Sequence, residues 1–325
     1  MNGKYWDRAW SLVDGCTPCS PGCDNCWSAA MAHRFKVEGE PGQRNGVITN
    51  EKGQFDGTVI PRYDRLNIPL KRKKPTIWSI WNDLFHEDVP DDFINNVSRI
   101  MADTVDRHVF LILTKRPERI RPYQLRNTQD FRPNVWLGTT VENQETANSR
   151  IPELLKCPGN KFLSIEPMLG PIDIQKYLPC PNQDPLLCRN WSGTCCQCDI
   201  NRESNEGIDA VVLGGETGPH ARPMHPDWVR SVRDQCETAG VPFFFKQWGE
   251  WEPIGPVFGD LSDIEEGRSA NEFGRREIID CFGTIWPPTM QPSPGSFVVE
   301  RVGSKRAGRL LDGREHNDLP WRLPL

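Results

Sequence analysis

Short apolar runs rich in β-branched and aromatic residues, separated by segments of helical periodicity, limit what this chain can fold into. The runs read as strands at Ala9–Val13, Thr76–Ile80, Val109–Leu113, Val135–Leu137, Phe162–Ile165, Ala210–Leu213 and Pro242–Phe245. Several are apolar at consecutive positions, as expected of strands covered on both faces. Helices fit the intervals. Cys23–Lys36 puts Trp27, Ala30, Met31 and Phe35 on one stripe, and Asp91–Val105 opens with acidic residues after Pro90. Gln144–Leu155 follows the same logic, and Asp227–Ala239 stops at Gly240. Strand–helix alternation at this spacing predicts an α/β fold built on a parallel sheet.

Polar residues follow nearly every predicted strand. Asn82, Asp83 and His86 follow Ile80; Thr114, Lys115 and Arg116 follow Leu113; Thr139, Thr140 and Glu142 follow Leu137. Glu166 follows Ile165, Gly214-Gly215-Glu216 follows Leu213, and Lys246-Gln247 follows Phe245. In a parallel barrel these ends share one face, where catalytic groups gather. Two segments break the alternation: a Pro/Asn/Cys-rich insertion at 178–207, and a Gly/Pro-rich, charged stretch from 249 that reads as irregular covering structure. The expected organisation is a barrel domain over 1–248 containing the insertion, followed by a C-terminal extension over 249–325.

Of 325 residues, 26% are charged and 37% hydrophobic, and no apolar run approaches the roughly 20 residues that span a membrane. The start, Met1-Asn2-Gly3-Lys4-Tyr5-Trp6-Asp7, has no apolar signal core, so the expected location is the cytoplasm. Twelve cysteines there are poorly explained as a disulfide framework. A net charge of -5 argues against binding nucleic acid by bulk electrostatics, and Lys71-Arg72-Lys73-Lys74 reads as a solvated loop flank.

The cysteines cluster. Cys16, Cys19, Cys23 and Cys26 follow the first predicted strand and lead into a helix. Zinc sites usually separate their two ligand pairs by a dozen or more residues. Here three residues separate the Cys16/Cys19 pair from the Cys23/Cys26 pair, which suits an iron–sulfur cluster better than one tetrahedral ion. Gly22 and two prolines would let the backbone approach inorganic sulfide. The insertion carries Cys180, Cys188, Cys195, Cys196 and Cys198, of which Cys180, Cys188, Cys195 and Cys198 are candidate zinc ligands.

The spacing of Cys19, Cys23 and Cys26 resembles that of radical S-adenosylmethionine enzymes. The chain more widely resembles a family of phage proteins described by a three-Cys motif and radical-SAM-like in character. The resembling stretches are Trp10–Phe35, Trp81–His86, Leu113–Pro117, Trp136–Asn143, Phe162–Gly170, Gly214–Pro219, Phe243–Gly249 and Leu310–Arg314. In the phage family the three cysteines align with Cys16, Cys23 and Cys26, so the third ligand stays open between Cys16 and Cys19. The resemblance implies a partial parallel (β/α) barrel of about six to eight strands, with a 4Fe–4S cluster that binds S-adenosylmethionine. It also implies an electron donor and generation of a 5′-deoxyadenosyl radical. A nucleotide, a nucleic-acid base or a peptide is the expected substrate, the phage resemblance favouring nucleic-acid modification or repair, and the host cytoplasm is the expected place for a phage-encoded chain. Gly214, Gly215 and Glu216 resemble the Gly-Gly-Glu element that cradles the methionine amino group, although here it follows a late strand. Trp27, after the last cysteine, is a further cofactor-contacting candidate.

Asp83, His86, Lys115 and Glu166 are the candidate catalytic residues. Asp83 and His86 can form an acid–base pair. Lys115 and Arg116 can hold a phosphate or carboxylate, or be spent on ion pairs to Glu142 or Glu166. Lys246-Gln247-Trp248 offers a cation and a stacking ring. The rival reading is a non-catalytic zinc protein that binds nucleic acid or a protein partner.

Overall fold

The computed structural model describes residues 3–34, 48–127, 131–179, 207–257, 274–287, 290 and 292–321. Seven parallel strands form its main sheet: β1 (Arg8–Ala9), β4 (Thr76–Ile80), β5 (His108–Thr114), β6 (Val135–Thr140), β7 (Asn160–Ile165), β8 (Ala210–Gly214) and β9 (Phe243–Gln247). They lie side by side in that order and curl into a half-barrel. The expected partial (β/α) barrel is therefore the fold. Strands β2 (Val13–Gly15) and β3 (Val59–Pro61) form a separate antiparallel ribbon.

The predicted first strand splits in two. Only Arg8 and Ala9 join the barrel, and Val13 onward leaves for the ribbon. Trp10 is buried, with its indole Nε1 donating to Arg65 O at 2.9 Å, which turns the chain between the two segments. Gly15, at φ 88°, then passes so close to the Thr58 carbonyl that any Cβ would overlap it. The cysteine loop consequently leaves from the ribbon rather than from the first barrel strand.

Helices α1 (Trp27–Arg34), α2 (Ile68–Lys71), α3 (Asp91–Asp103), α4 (Ile120–Asn127), α5 (Gln144–Leu155) and α6 (Pro226–Ala239) fill the intervals. Their boundaries follow local chemistry. Asp91 and Asp92 occupy the first turn of α3, where the helix dipole favours negative charge. Asn143 and Thr146 close a reciprocal cap on α5. Gly240 ends α6 in the left-handed conformation. The helix expected from Cys23 begins only at Trp27, because Pro21–Cys23 forms a separate single turn.

Alternate strand residues feed two apolar clusters. The larger joins Phe110, Ile112, Leu137, Leu163, Val211 and Leu213 to helix residues such as Phe93, Val97, Ile151 and Val232. The smaller, on the opposite face, gathers Val109, Leu111, Trp136, Phe162, Val212 and Phe244 under Tyr5 and Trp321. The C-terminal extension is not irregular throughout. β10 (Trp251–Pro256), β11 (Arg276–Ile279), β12 (Ile285–Trp286) and β13 (Phe297–Arg301) form an antiparallel sheet in the order β10-β13-β11-β12. Pro253 and Gly255 conceal β10, and the register shifts between them. Residues 316–318 then cover the edge of β9: Phe245 N donates to His316 O and Asp318 N to Phe243 O.

Candidate functional site

The loop from Cys16 to Cys26 lies over the C-terminal ends of the parallel strands and is held at three places. At the first, Ser20 Oγ donates to Glu142 Oε1 at 2.8 Å, just beyond β6. Gly22 rests against the same carboxylate, with room for no Cβ: one would stand 2.5 Å from Oε1. At the second, Thr17 takes a hydrogen bond from the Arg116 guanidinium on its carbonyl, at 3.0 Å, and one from His86 Nε2 on its hydroxyl, at 2.9 Å. At the third, Asn25 Nδ2 donates to Glu216 Oε2 at 3.1 Å and to His220 O at 2.9 Å, beyond β8.

All four thiols line one cavity of about 100 Å³, together with Phe55, Trp81, Asp83, Lys115 and Arg116. Their surroundings differ. Cys23 is driven toward the thiolate, its pKa lowered to about 3 by a hydrogen bond from Cys19 and by the nearby Lys115 charge, against the opposing effect of burial. Lys115 Nζ stands 3.3 Å from Cys23 Sγ. Cys19, the donor in that pair, is pushed well up, with burial adding to the effect; Arg150 Nη2 lies 3.8 Å from its sulfur. Burial, helped by Asp83, raises Cys16 to about 12 against the pull of Arg116. Burial also raises Cys26, opposed by the amides of Ala29 and Ser28 at the start of α1. Four sulfurs in a single cavity are a soft donor set suited to iron or zinc. Among the described residues, no three His, Cys, Asp or Glu side chains already converge as a metal-holding group.

Beneath the loop the strand-end charges pair with one another. Glu142 is 0% exposed. Its Oε1 accepts from Ser20 and Lys115, while Oε2 has no partner among the described residues. Burial works against the Lys115 charge, but Glu142 and Cys23 outweigh it and the pKa is raised. Arg150 Nη1 donates to Thr140 O at 2.8 Å and lies 3.6 Å from Glu142 Oε1. One strand over, Arg116 meets Asp83 at 2.7 Å and Glu87 at 2.8 Å.

The match that places this chain among known proteins covers residues 2–320, against a family model described as a protein of unknown function (DUF5131). The chain belongs to that family. No curated protein and no solved structure matches it. The matched span takes in the cysteine loop, the parallel sheet and the C-terminal strands.

The residues singled out from the sequence are distributed as follows. Cys16, Cys19, Cys23, Cys26, Asp83 and Lys115 all line the cavity. Asp83 is committed to Arg116 and Thr114 rather than to His86. His86, 1% exposed, accepts the Asp88 amide on Nδ1 and therefore carries its proton on Nε2, toward Thr17. Burial, then Arg116, lowers its pKa and keeps it neutral. Glu166 pairs with Lys246 at 2.6 Å, and neither is among the residues lining the cysteine cavity. Gly214 passes beside Glu166, and Gly215 lies against the Trp248 carbonyl, where a Cβ would overlap. Glu216 is held by the Arg222 amide and guanidinium, so its carboxylate is already engaged. Trp27 is 51% exposed and packs on Trp81 with ring centroids 4.6 Å apart. Cys180, Cys188, Cys195, Cys196 and Cys198 lie outside the described residues. Sequence reasoning gave no role to Ser20, Asn25 or Arg150. Ser20 and Asn25 were legible as the polar residues inside the cysteine loop, whereas nothing in the spacing marked Arg150.

Proposed function

We propose that this protein is a radical-SAM-like iron–sulfur enzyme acting on a nucleotide or nucleic-acid base. The observation that supports this reading is a single cavity at the C-terminal ends of a parallel half-barrel, walled by four cysteines, with Lys115 Nζ 3.3 Å from Cys23 Sγ. Cys23, Cys26 and either Cys16 or Cys19 would hold a 4Fe–4S cluster, leaving one iron for S-adenosylmethionine. When bound, that group supplies one-electron cleavage of S-adenosylmethionine to a 5′-deoxyadenosyl radical. The protein's own part is to fix the loop and to offset its negative charge with Lys115, Arg116 and Arg150. Trp27 and Trp81 form an aromatic pair beside the cavity that can receive a planar ring.

The test is anaerobic purification followed by iron, sulfide and zinc analysis. Absorbance near 400 nm, roughly where clusters of this type absorb, and 5′-deoxyadenosine formed with dithionite and S-adenosylmethionine are the expected results. Zinc alone would sink the reading. A second reading, a non-catalytic zinc protein that binds nucleic acid or a protein partner, draws on a different observation. Asp83 and His86 are buried and bonded to the frame of the loop rather than open to a substrate. Metal content separates the two.

A further inference from the structure

Each sulfur of the loop faces its own source of positive potential. Cys23 has Lys115, Cys19 has Arg150, Cys16 has Arg116, and Cys26 has the amides at the start of α1. The Lys115 contact is closer than that of Arg150, and it is firmly held. Lys115 bonds to Glu142, which is itself closed off from solvent, and to Ser20 Oγ at 3.2 Å. The Lys115 side chain is only 20% exposed, so an ammonium tied in this way acts on the sulfur at short range.

We propose that the Lys115–Glu142 pair sets the reduction potential of a cluster held by the cysteine loop, with Lys115 raising it through the hydrogen bond to Cys23 and Glu142 opposing it. This rests on the reading of the loop as an iron–sulfur site. Reduction adds one electron from a low-potential one-electron donor, dithionite in the assay, and neither makes nor breaks a bond. The added negative charge is stabilised by a nearby cation and by N–H donors to ligating sulfur, and destabilised by a nearby carboxylate. Both residues are positioning residues, since their effect is exerted through Cys23. Their removal should therefore move the potential in opposite directions, which a purely structural role in holding the loop would not do.

Wild type, Lys115→Met, Lys115→Arg and Glu142→Gln are purified anaerobically, checked for folding by circular dichroism, and analysed for iron and sulfide. Midpoint potentials are then read by dithionite titration followed by electron paramagnetic resonance. Lys115→Arg should stay near wild type. Lys115→Met should lower the reduced-to-oxidised ratio at fixed potential about tenfold, which is about 59 mV for one electron. Glu142→Gln should shift it the other way. Iron-loaded Lys115→Met with an unchanged potential would overturn the proposal, as would shifts of the same sign in Lys115→Met and Glu142→Gln. If Lys115→Met fails to fold, the comparison of Glu142→Gln with Lys115→Arg decides, and equal potentials overturn it. Wild type lacking iron and sulfide overturns the iron–sulfur reading itself and this proposal with it, an outcome distinct from an iron-loaded protein insensitive to residue 115.

Discussion

Removal of the Arg116 guanidinium tests whether buried ion pairs under the cysteine loop hold this end of the barrel together. Arg116 and Asp83 are 9% and 7% exposed, and their 2.7 Å contact lies below Thr17. Arg116→Met keeps much of the side-chain length but strands the Asp83 carboxylate, leaving it only the Thr114 hydroxyl and the Phe85 amide. Breaking a buried pair from one side costs about 3–5 kcal/mol, because the remaining charge is left uncompensated. The bond to Glu87 adds little, since that carboxylate is 61% exposed. Urea unfolding of wild type, Arg116→Met, Asp83→Asn and the double variant measures the loss. The double variant should cost clearly less than the sum of the singles, because neither charge is then left alone. A cost for Arg116→Met below about 1 kcal/mol, or strict additivity in the cycle, would refute the claim that this pair is buried and mutually dependent.

Three further outcomes are expected. Gly22→Ala should displace the loop from Glu142, since the new Cβ would stand 2.5 Å from Oε1; on the proposed iron–sulfur reading the check is at least a severalfold loss of iron with an almost unchanged urea midpoint. Trp321→Ala should cost about 3–5 kcal/mol in urea unfolding, because that ring packs on Tyr5, Trp136 and Phe162 and donates from Nε1 to Tyr5 O at 2.9 Å. Asp312 has its pKa lowered by hydrogen bonds from Arg230 and, after the opposing effect of burial, from Arg233. Its folded pKa lies below the unfolded value, so its contribution is present above the ordinary aspartate range, about 3.9, and lost as pH falls through the folded pKa. Asp312→Asn should therefore flatten the acid limb of the stability curve below about pH 4, by an amount that shrinks with added salt.

The fold was most legible where burial on both faces or a good cap left a clear pattern. Thr76–Ile80 and Gln144–Leu155 match the structure residue for residue, the first as a short strand with Ile77, Trp78 and Ile80 and the second because Asn143 and Thr146 close its start. Ala9–Val13 failed because the two-residue barrel strand, Arg8–Ala9, is exposed at the sheet edge while Trp10 turns the chain inward. The sheet in the extension was hidden by the proline and glycine within β10. At the site, the sequence placed the polar strand ends on one face but left their pairing open. Lys115 meets Glu142 on the neighbouring strand's end, whereas Glu166 meets Lys246. Such pairings depend on lateral spacing between strands, which no local pattern records.

Those pairings also decide how mutations at this face should be read. Lys115 with Glu142, Arg116 with Asp83, and Arg222 with Glu216 are ion pairs that also reach the cysteine loop: through Ser20, Thr17, and Asn25 with the Pro21 carbonyl, respectively. Glu142 and Glu216 thus each hold a cation and a loop side chain, Ser20 and Asn25 respectively, whereas Asp83 acts on the loop through Arg116, which bonds the Thr17 carbonyl. Removing any of them loosens the loop and alters the charge around the sulfurs together, so loss of turnover at Asp83, Glu142 or Glu216 would not by itself make that residue a proton donor or acceptor. If the proposed cluster is present, iron content separates the effects: a variant that keeps its metal but loses turnover points to chemistry at the residue, and one that loses both points to the frame. The same network constrains recognition. Each of these cations already has a carboxylate partner, so a substrate phosphate binding here must compete with a buried ion pair, while a planar ring can meet Trp27 and Trp81 without breaking one. On the proposed function, a base or nucleoside would therefore meet the loop at less cost than a phosphate-rich strand.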